Sequence, residues 1–245
     1  MADHSLTGKA ALVTGGARRI GRAIAIALAN AGADVAITYL NSKTESSDAL
    51  QRLVATGVRA LAVECDVRSE QSVHSAVAAT VAVFGRLDLL VNNAAVFATS
   101  PLDSLSLVEW DTVFETNARG PFLMAREALP HLKAAQGRIV NIGSLGGLRA
   151  WATHAHYSSS KAALHTLTQA MAKAFAPQVT VNCVAPGSID FSDQDDPLSQ
   201  RLKSRTPMLC NGSAEDVAQA VLFFATGPRF ITGQILSVDG GLGLT

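Results

Sequence analysis

Short runs of Val, Ile, Leu and Ala recur along the chain, namely KAALVT, DVAITY, ALAVECDV, LDLLVNN, GRIVNIGS, VTVNCVAPG and QILSVDGG. Continuous apolar runs of this length, with little polar alternation, are what strands buried on both faces require. Between them the period changes. In IGRAIAIALANAG, residues Ile20, Ala23, Ile24, Ala27, Leu28 and Ala31 return every three or four positions, which predicts an amphipathic helix stopped at Gly32. From His156 to Phe175 an apolar set at Ala162, Leu164, Leu167, Ala170, Met171 and Ala174 predicts another. Strand and helix alternate from residue 9 to about 184 with no linker or low-complexity break. A helix near 213–226 and a strand near 235–238 complete the series. The pattern predicts one α/β domain over residues 1–245, a doubly wound parallel sheet of seven strands with helices on both faces. One stretch resists: residues 188–212, SIDFSDQDDPLSQRLKSRTPMLCNG, are too long for an ordinary connection and read as a substrate lid or loop within that domain.

Composition narrows the partners. With 245 residues, 48% hydrophobic and 16% charged, the chain can bury a sizeable core. Twenty Lys and Arg balance twenty Asp and Glu, which gives no electrostatic bias toward nucleic acid or an anionic membrane. Cys65, Cys183 and Cys210 are odd in number and lack CxxC spacing, so neither a disulfide framework nor a zinc site is indicated. MADHSLTGKAALV lacks the basic start of a signal peptide, and no apolar run reaches membrane-spanning length. The expectation is a soluble cytoplasmic protein acting on a small molecule.

The first strand runs into TGGARRIGR, residues 14–22, directly before a helix. A glycine turn in that setting brings backbone N–H groups and a helix N-terminus against a pyrophosphate, through Gly15, Ile20 and Gly21. A tight strand-to-helix connection needs the same glycines, so the turn alone decides little. The second strand adds information, because it ends in Tyr39, Leu40, Asn41 and Ser42, without the carboxylate that grips an NAD ribose. Arg18 and Arg19 in the turn, with Ser42 and Lys43 after the second strand, complement a 2'-phosphate and favour NADP(H). Solvated surface arginines are the plainer alternative.

Residues 156–161 read HYSSSK, and helical flanks place Tyr157 and Lys161 on one face. A phenol titrates near pH 10, and a neighbouring ammonium stabilises its anion. Lowering that value by about three units takes about 4 kcal/mol of differential interaction, expected of a partly buried ammonium plus a nicotinium charge, which makes the pair a tuned proton donor and acceptor. Ser144 ends the strand GRIVNIGS at the edge where open α/β sheets bind ligands, which suits it to hold a substrate oxygen. Its surroundings, IGSLG, lack the first glycine of a hydrolase GxSxG. Hydride transfer to a carbonyl builds negative charge on that oxygen, and a serine and an acidic tyrosine converging there would stabilise it.

Taken together, TGGARRIG, CDV, NNAA, NARG, Ser144, YSSSK and PGSI resemble the short-chain dehydrogenase/reductase family, in order and spacing, over essentially the whole chain. The resemblance implies a Rossmann-type sheet ordered 3-2-1-4-5-6-7, a nicotinamide cofactor and an Asn117, Ser144, Tyr157, Lys161 active site. It implies that Tyr157 is the acid or base and that Lys161 binds the nicotinamide ribose while lowering the tyrosine pKa. Ser144 would position the substrate, and Asn117 would hold a relay water. By the same likeness Asp66 and Val67 border the adenine, Asn93 and Ala94 support the cofactor's middle, and Pro186, Gly187 and Ile189 hold its nicotinamide side. It further implies a homotetramer with interfaces near 105–132 and 155–175. Arg19 stands where the family's middle glycine belongs, giving TGxxxRxG as in the pteridine reductase branch, and Phe97 matches that branch's pterin-stacking aromatic. Ser144, where that branch usually carries aspartate, matches instead the ketone- and acyl-reducing branches, including 3-oxoacyl-(acyl carrier protein) reductases. Ala95 replaces the glycine of NNAG.

Other residues read more plainly. His154 and His156 lack a third partner at metal-ligand spacing, so no metal is expected. Asp190, Asp193, Asp195 and Asp196 suit a solvated loop or a lid that disfavours anions. Trp151 fits either a pocket wall or ordinary packing, and Cys183 fits the core. The resulting expectation is an NADP(H)-dependent short-chain oxidoreductase interconverting a carbonyl and an alcohol. Pteridine reductase-like reduction of a pterin C=N bond and a non-catalytic NADP(H)-binding sensor are the alternatives.

Overall fold

In the first strand, residues 10–13, all four side chains are buried, and they divide by parity. Ala11 and Val13 face one core with Ile24, Leu28, Val221 and Phe224, whereas Ala10 and Leu12 face the other with Val77, Leu90, Met124 and Leu132. A strand carrying apolar residues at every position can do this only inside a sheet covered on both sides.

The computed structural model describes residues 6–191 and 197–245. Seven strands, β1 (Ala10–Val13), β2 (Asp34–Tyr39), β3 (Ala60–Glu64), β4 (Leu89–Asn92), β5 (Arg138–Ile142), β6 (Thr180–Pro186) and β7 (Ile235–Val238), form one parallel sheet ordered β3-β2-β1-β4-β5-β6-β7. The order is the one the family resemblance implies. Helices α1 (Arg19–Asn30), α2 (Lys43–Val54), α3 (Glu70–Phe84), α4 (Leu107–Phe114), α5 (Gly120–Ala135), α6 (Ala155–Phe175), α7 (Pro197–Arg205) and α8 (Ala214–Thr226) complete it. Helices α1 and α8 cover one face, and α3, α5 and α6 the other. Gly32 follows α1 at φ +96, a left-handed stop as the sequence suggests.

Two boundaries differ from expectation. Strand β3 ends at Glu64, so Cys65, Asp66 and Val67 lie beyond it; Asp66 leaves the ladder to pair with Arg68. The stretch 188–212 is not wholly irregular, because α7 occupies Pro197–Arg205 and a bridge between Ile189 and Gly212 joins its two ends. The helix formers of LSQRLKSR carry it without a strong apolar stripe, which is why periodicity missed it. Asp193, Asp195 and Asp196 fall outside the described residues. No helix among the described residues is long and apolar enough to cross a membrane.

The register sets the functional edge. Val13 pairs with Val91, and Asn92 with Asn141, so β1, β4 and β5 end at one level. Thr14, 2% exposed, ties two of these ends: its hydroxyl donates to the Val91 carbonyl and accepts from the N–H groups of Asn93 and Ala94 at 2.9 and 3.0 Å. Thr14→Val removes that acceptor and leaves two amide donors unpaired. It is expected to lower unfolding stability by about 3 kcal/mol, read as a lower urea midpoint at unchanged m-value.

Candidate active site

The turn after β1 is built for close approach. Gly15 has φ +62, and a Cβ there would stand 3.1 Å from the Ala94 Cα. A Cβ on Gly21 would meet the Gly15 carbonyl oxygen at 2.2 Å, so neither position accepts a side chain. Asn93 locks the turn by donating from Nδ2 to the Thr14 and Gly15 carbonyls at 2.9 and 3.0 Å. Helix α1 begins here with no side-chain cap at Arg18 and no acidic residue in its first turn. Its leading N–H groups carry the partial positive charge of a helix start. Arg19 is held at φ +49, a left-handed conformation, and its guanidinium lies 5.3 Å above the Phe191 ring.

A cleft of about 540 Å³ opens in front of this turn. Gly15, Arg18, Arg19, Ile20 and Gly21 line it together with Asn41, Ser42, Asp66, Val67, Asn93, Ala94, Phe97 and Phe191. Arg18 and Arg19 are exposed and make no ion pair among the described residues, and no carboxylate ends β2. Asp66 is already engaged, its carboxyl held below the usual range chiefly by hydrogen bonds from Arg68, at 2.8 to 3.2 Å. An uncapped helix start, two glycine cradles and free guanidinium groups fit a dinucleotide with an extra phosphate.

The second half of the site gathers at the ends of β5 and α6. Helix α6 brings Tyr157 and Lys161 to the end of β5, where Lys161 Nζ donates to the Ile142 carbonyl at 2.8 Å. Lys161 is 2% exposed, and burial lowers its pKa to about 8. Ser144 follows β5 and accepts from the Gly146 N–H at 3.0 Å through Oγ, and its hydroxyl lies close enough to the Tyr157 hydroxyl to favour the phenolate. The Tyr157 pKa moves opposite to the expected direction. Burial pushes the phenol up, the Ser144 hydroxyl opposes this, and Lys161 is not among the causes. The physical reason is aim: Nζ points at the Ile142 carbonyl and stands 5.8 Å from the centroid of the phenol ring.

Asn117 is fully buried in a π-helical turn between α4 and α5. Its side chain accepts from the Val96 N–H at 2.8 Å and donates to the Val96 carbonyl and to Ser160 Oγ at 2.9 and 3.1 Å. All its side-chain atoms are thus bound within the protein. Its backbone carbonyl lacks the usual i+4 donor, because residue 121 is Pro121 and has no N–H.

Phe97 joins the two halves. It lines the cleft and meets Tyr157 edge-on at 4.9 Å between ring centroids. Its other neighbour is His154 at 4.9 Å, which in turn meets Trp151 at 5.5 Å. Trp151 is therefore two rings away from Tyr157, and neither it nor Ser144, Tyr157 and Lys161 lines the cleft. Pro186, Gly187 and Ile189 lie at the same sheet edge beyond the cleft wall. The Gly187 N–H donates to the Val238 carbonyl at 2.9 Å, and Ile189 bridges Gly212. Sequence reasoning missed Thr14, Arg68 and Phe191; the first sits inside TGG and the second just after CDV, but nothing local marks Phe191. Among the described residues no three His, Cys, Asp or Glu side chains gather as metal ligands.

A doubly wound parallel sheet with a glycine turn and uncapped helix at its carboxyl edge defines a dinucleotide-binding protein. Residues 15–243 match a family model described as Enoyl-(Acyl carrier protein) reductase. The chain is 37% identical to the 3-oxoacyl-[acyl-carrier-protein] reductase FabG of Staphylococcus aureus, over 96% of this chain and 98% of that protein. It also superposes with a TM-score of 0.91 on a short chain dehydrogenase from Burkholderia cenocepacia in complex with NADP, 40% identical, covering 97% of this chain and 99% of the other. A blue fluorescent protein from a metagenomic library, in complex with NADPH, gives a TM-score of 0.91 at 37% identity, covering 97% and 99%. The chain belongs to the short-chain dehydrogenase/reductase family of oxidoreductases.

The buried ammonium has a measurable cost. A lysine whose pKa falls from 10.5 unfolded to about 8 folded destabilises the protein fully below pH 8, and the penalty fades as pH rises toward 10.5. That penalty, about 3 kcal/mol, is offset by the about 1.5–3 kcal/mol of a charge-assisted hydrogen bond to the Ile142 carbonyl, which Lys161→Met leaves unpaired. Lys161→Met, compared with wild type without added cofactor, is expected to match wild-type stability to within about 1 kcal/mol at pH 7 and to fall below it by about 3 kcal/mol near pH 10.5. Urea titrations should show the difference moving in favour of wild type between pH 8 and 10; a difference independent of pH would contradict the burial argument.

Proposed function

We propose that the protein is an NADP(H)-dependent reductase that interconverts a carbonyl and an alcohol, with Tyr157 moving the proton. The carrying observation is Tyr157 at the sheet edge, edge-on to Phe97 of the cleft, with the Ser144 hydroxyl close by and the buried Lys161 one turn on. Burial keeps the Tyr157 phenol protonated, which suits it to give its proton to a carbonyl oxygen in the reducing direction. Ser144 Oγ, already within reach of that hydroxyl, donates a second hydrogen bond to the same oxygen and fixes its position. When bound, the nicotinamide supplies or accepts the hydride. Lys161 holds a positive charge beneath the tyrosine and replenishes its proton, through a water on the Asn117 carbonyl that Pro121 leaves without its i+4 donor.

NADP(H) specificity rests on Arg18, Arg19 and the absence of a carboxylate at the end of β2, and the NADP and NADPH complexes of the two structural relatives support it. The named acyl-carrier reductases place a 3-oxoacyl thioester first among substrates to test. Reduction of a pterin C=N bond is the second reading, carried by Arg19 in the turn and by Phe97 against Tyr157. Ser144 counts against it. A sensor without turnover has no use for the hydroxyl pair.

A panel of 3-oxoacyl thioesters, ketones, quinones and dihydropterins assayed with NADPH and NADH tests these readings together. Tyr157→Phe is expected to reduce turnover of the best substrate by about 10³-fold while leaving NADPH affinity within about twofold. Loss of cofactor binding in that variant would remove the assigned role, and tight NADPH binding with no turnover on any compound would favour the sensor. Arg18→Ala with Arg19→Ala is expected to weaken NADPH by about tenfold or more, one charge-assisted contact being about 1.5 kcal/mol, with NADH changed much less. Equal losses for both cofactors would sink the phosphate argument.

A further inference from the structure

His165 lies one helical turn beyond Lys161 on α6, 4% exposed, with its ring beneath the Ser144 loop. Two glycines make room for it. A Cβ on Gly143 would stand 2.3 Å from His165 Nε2, and one on Gly147 would stand 2.8 Å from Cε1. The residues flanking the loop are thus bare where the imidazole passes. The Ser144 N–H donates to His165 Nε2 at 3.4 Å, and the Gly146 N–H donates to Ser144 Oγ at 3.0 Å. The loop is held from below by the ring and from within by its own serine.

A ring nitrogen that accepts an amide N–H carries no proton, so the arrangement requires a neutral imidazole with its proton on Nδ1. Burial and the charge of Lys161 both favour the neutral ring, lowering its pKa to about 4 against a smaller opposing effect from the Gly147 backbone. Nδ1 has no well-formed hydrogen-bond partner of its own. Cys183, whose Sγ also abuts Gly143, is held as a thiol by burial, with its pKa raised to about 12, and Lys161 remains the one cation of this cluster. An apolar residue would fill the same space but leave the Ser144 N–H buried and unpaired, a situation proteins avoid.

We propose that His165 is a positioning residue for Ser144, its Nε2 accepting the Ser144 N–H so that the serine hydroxyl stays registered against Tyr157. The inference deepens the reading of this site as a carbonyl reductase and rests on it. Gln at this position offers an acceptor oxygen the same four bonds from Cα as His Nε2, whereas Leu offers volume alone.

Kinetics of His165→Leu and His165→Gln are measured with the best panel substrate, alongside NADPH binding by fluorescence and the ¹⁵N spectrum of the wild-type histidine rings. His165→Leu is expected to lower kcat about tenfold, the effect of a small misplacement at a reacting centre, with KM and NADPH affinity within about twofold. His165→Gln is expected to recover kcat to within about threefold of wild type. Wild-type kcat in the Leu variant, or a Gln variant no better than Leu, overturns the proposal. The nitrogen spectrum needs neither substrate nor a folded variant. A protonated Nδ1 with a bare Nε2 supports the role, and a protonated Nε2 at neutral pH overturns it. Failure of the reductase reading alone would leave that spectrum as expected, so the two failures are distinguishable.

Discussion

A single buried ammonium group organises the site. A charge removed from water must find partners, and Lys161 Nζ finds the carbonyl of Ile142, the last residue of β5, at 2.8 Å. That contact docks α6 at the end of the strand. Once docked, the helix has little freedom left: Tyr157, one turn earlier, falls beside Ser144, and Ser160, one residue earlier, receives the Asn117 amide at 3.1 Å. The four polar residues of the site therefore come from three separate segments but share one mechanical constraint. Its cost is visible in the Lys161 pKa of about 8, which leaves the amine mostly charged at neutral pH yet able to release a proton.

A second tie holds the other half. Asn93 and Thr14 bind the end of β4 to the turn after β1, through hydrogen bonds of 2.9 to 3.0 Å to backbone atoms on both sides. The two ties meet across β4 and β5, where Asn92 Nδ2 donates to Asn141 Oδ1 and Asn141 Nδ2 donates to Thr168 Oγ1 of α6, at 2.9 and 2.8 Å. Buried polar chains of this kind are stabilising only when their geometry is kept, so they fix register as well as energy. The glycine turn and the tyrosine helix are thus positioned against each other through side-chain amides inside the sheet.

How far the sequence discloses this follows from the range of each interaction. Strand identity, the α1 turn and the shared face of Tyr157 and Lys161 are local periodicities, and they are legible in KAALVT, TGGARRIG and HYSSSK. The direction of the Tyr157 pKa is not. Spacing of i and i+4 puts two side chains on one face but says nothing of which carbonyl each will aim at, and Ile142 is nineteen positions from Lys161. Helix α7 escaped because its polar sequence lacks an apolar stripe, and the π-helical turn at Glu115–Arg119 because no residue type specifies it. His165 was invisible for a related reason. Within QAMAK-type helical periodicity it reads as one more inward position, and only Gly143 and Gly147, brought over it by β5, reveal that the ring is polar on purpose.

Arg19 occupies a backbone conformation that favours glycine. A turn that needs only a left-handed residue is best served by glycine, and placing an arginine at φ +49 costs about 1 kcal/mol. The guanidinium stacks on Phe191 at 5.3 Å, an exposed cation–π contact of about 0.5–1 kcal/mol. The two nearly cancel. The protein thereby holds a fixed positive charge over the mouth of the cleft at almost no net expense to folding, and the ring that steadies it belongs to the segment leading toward α7.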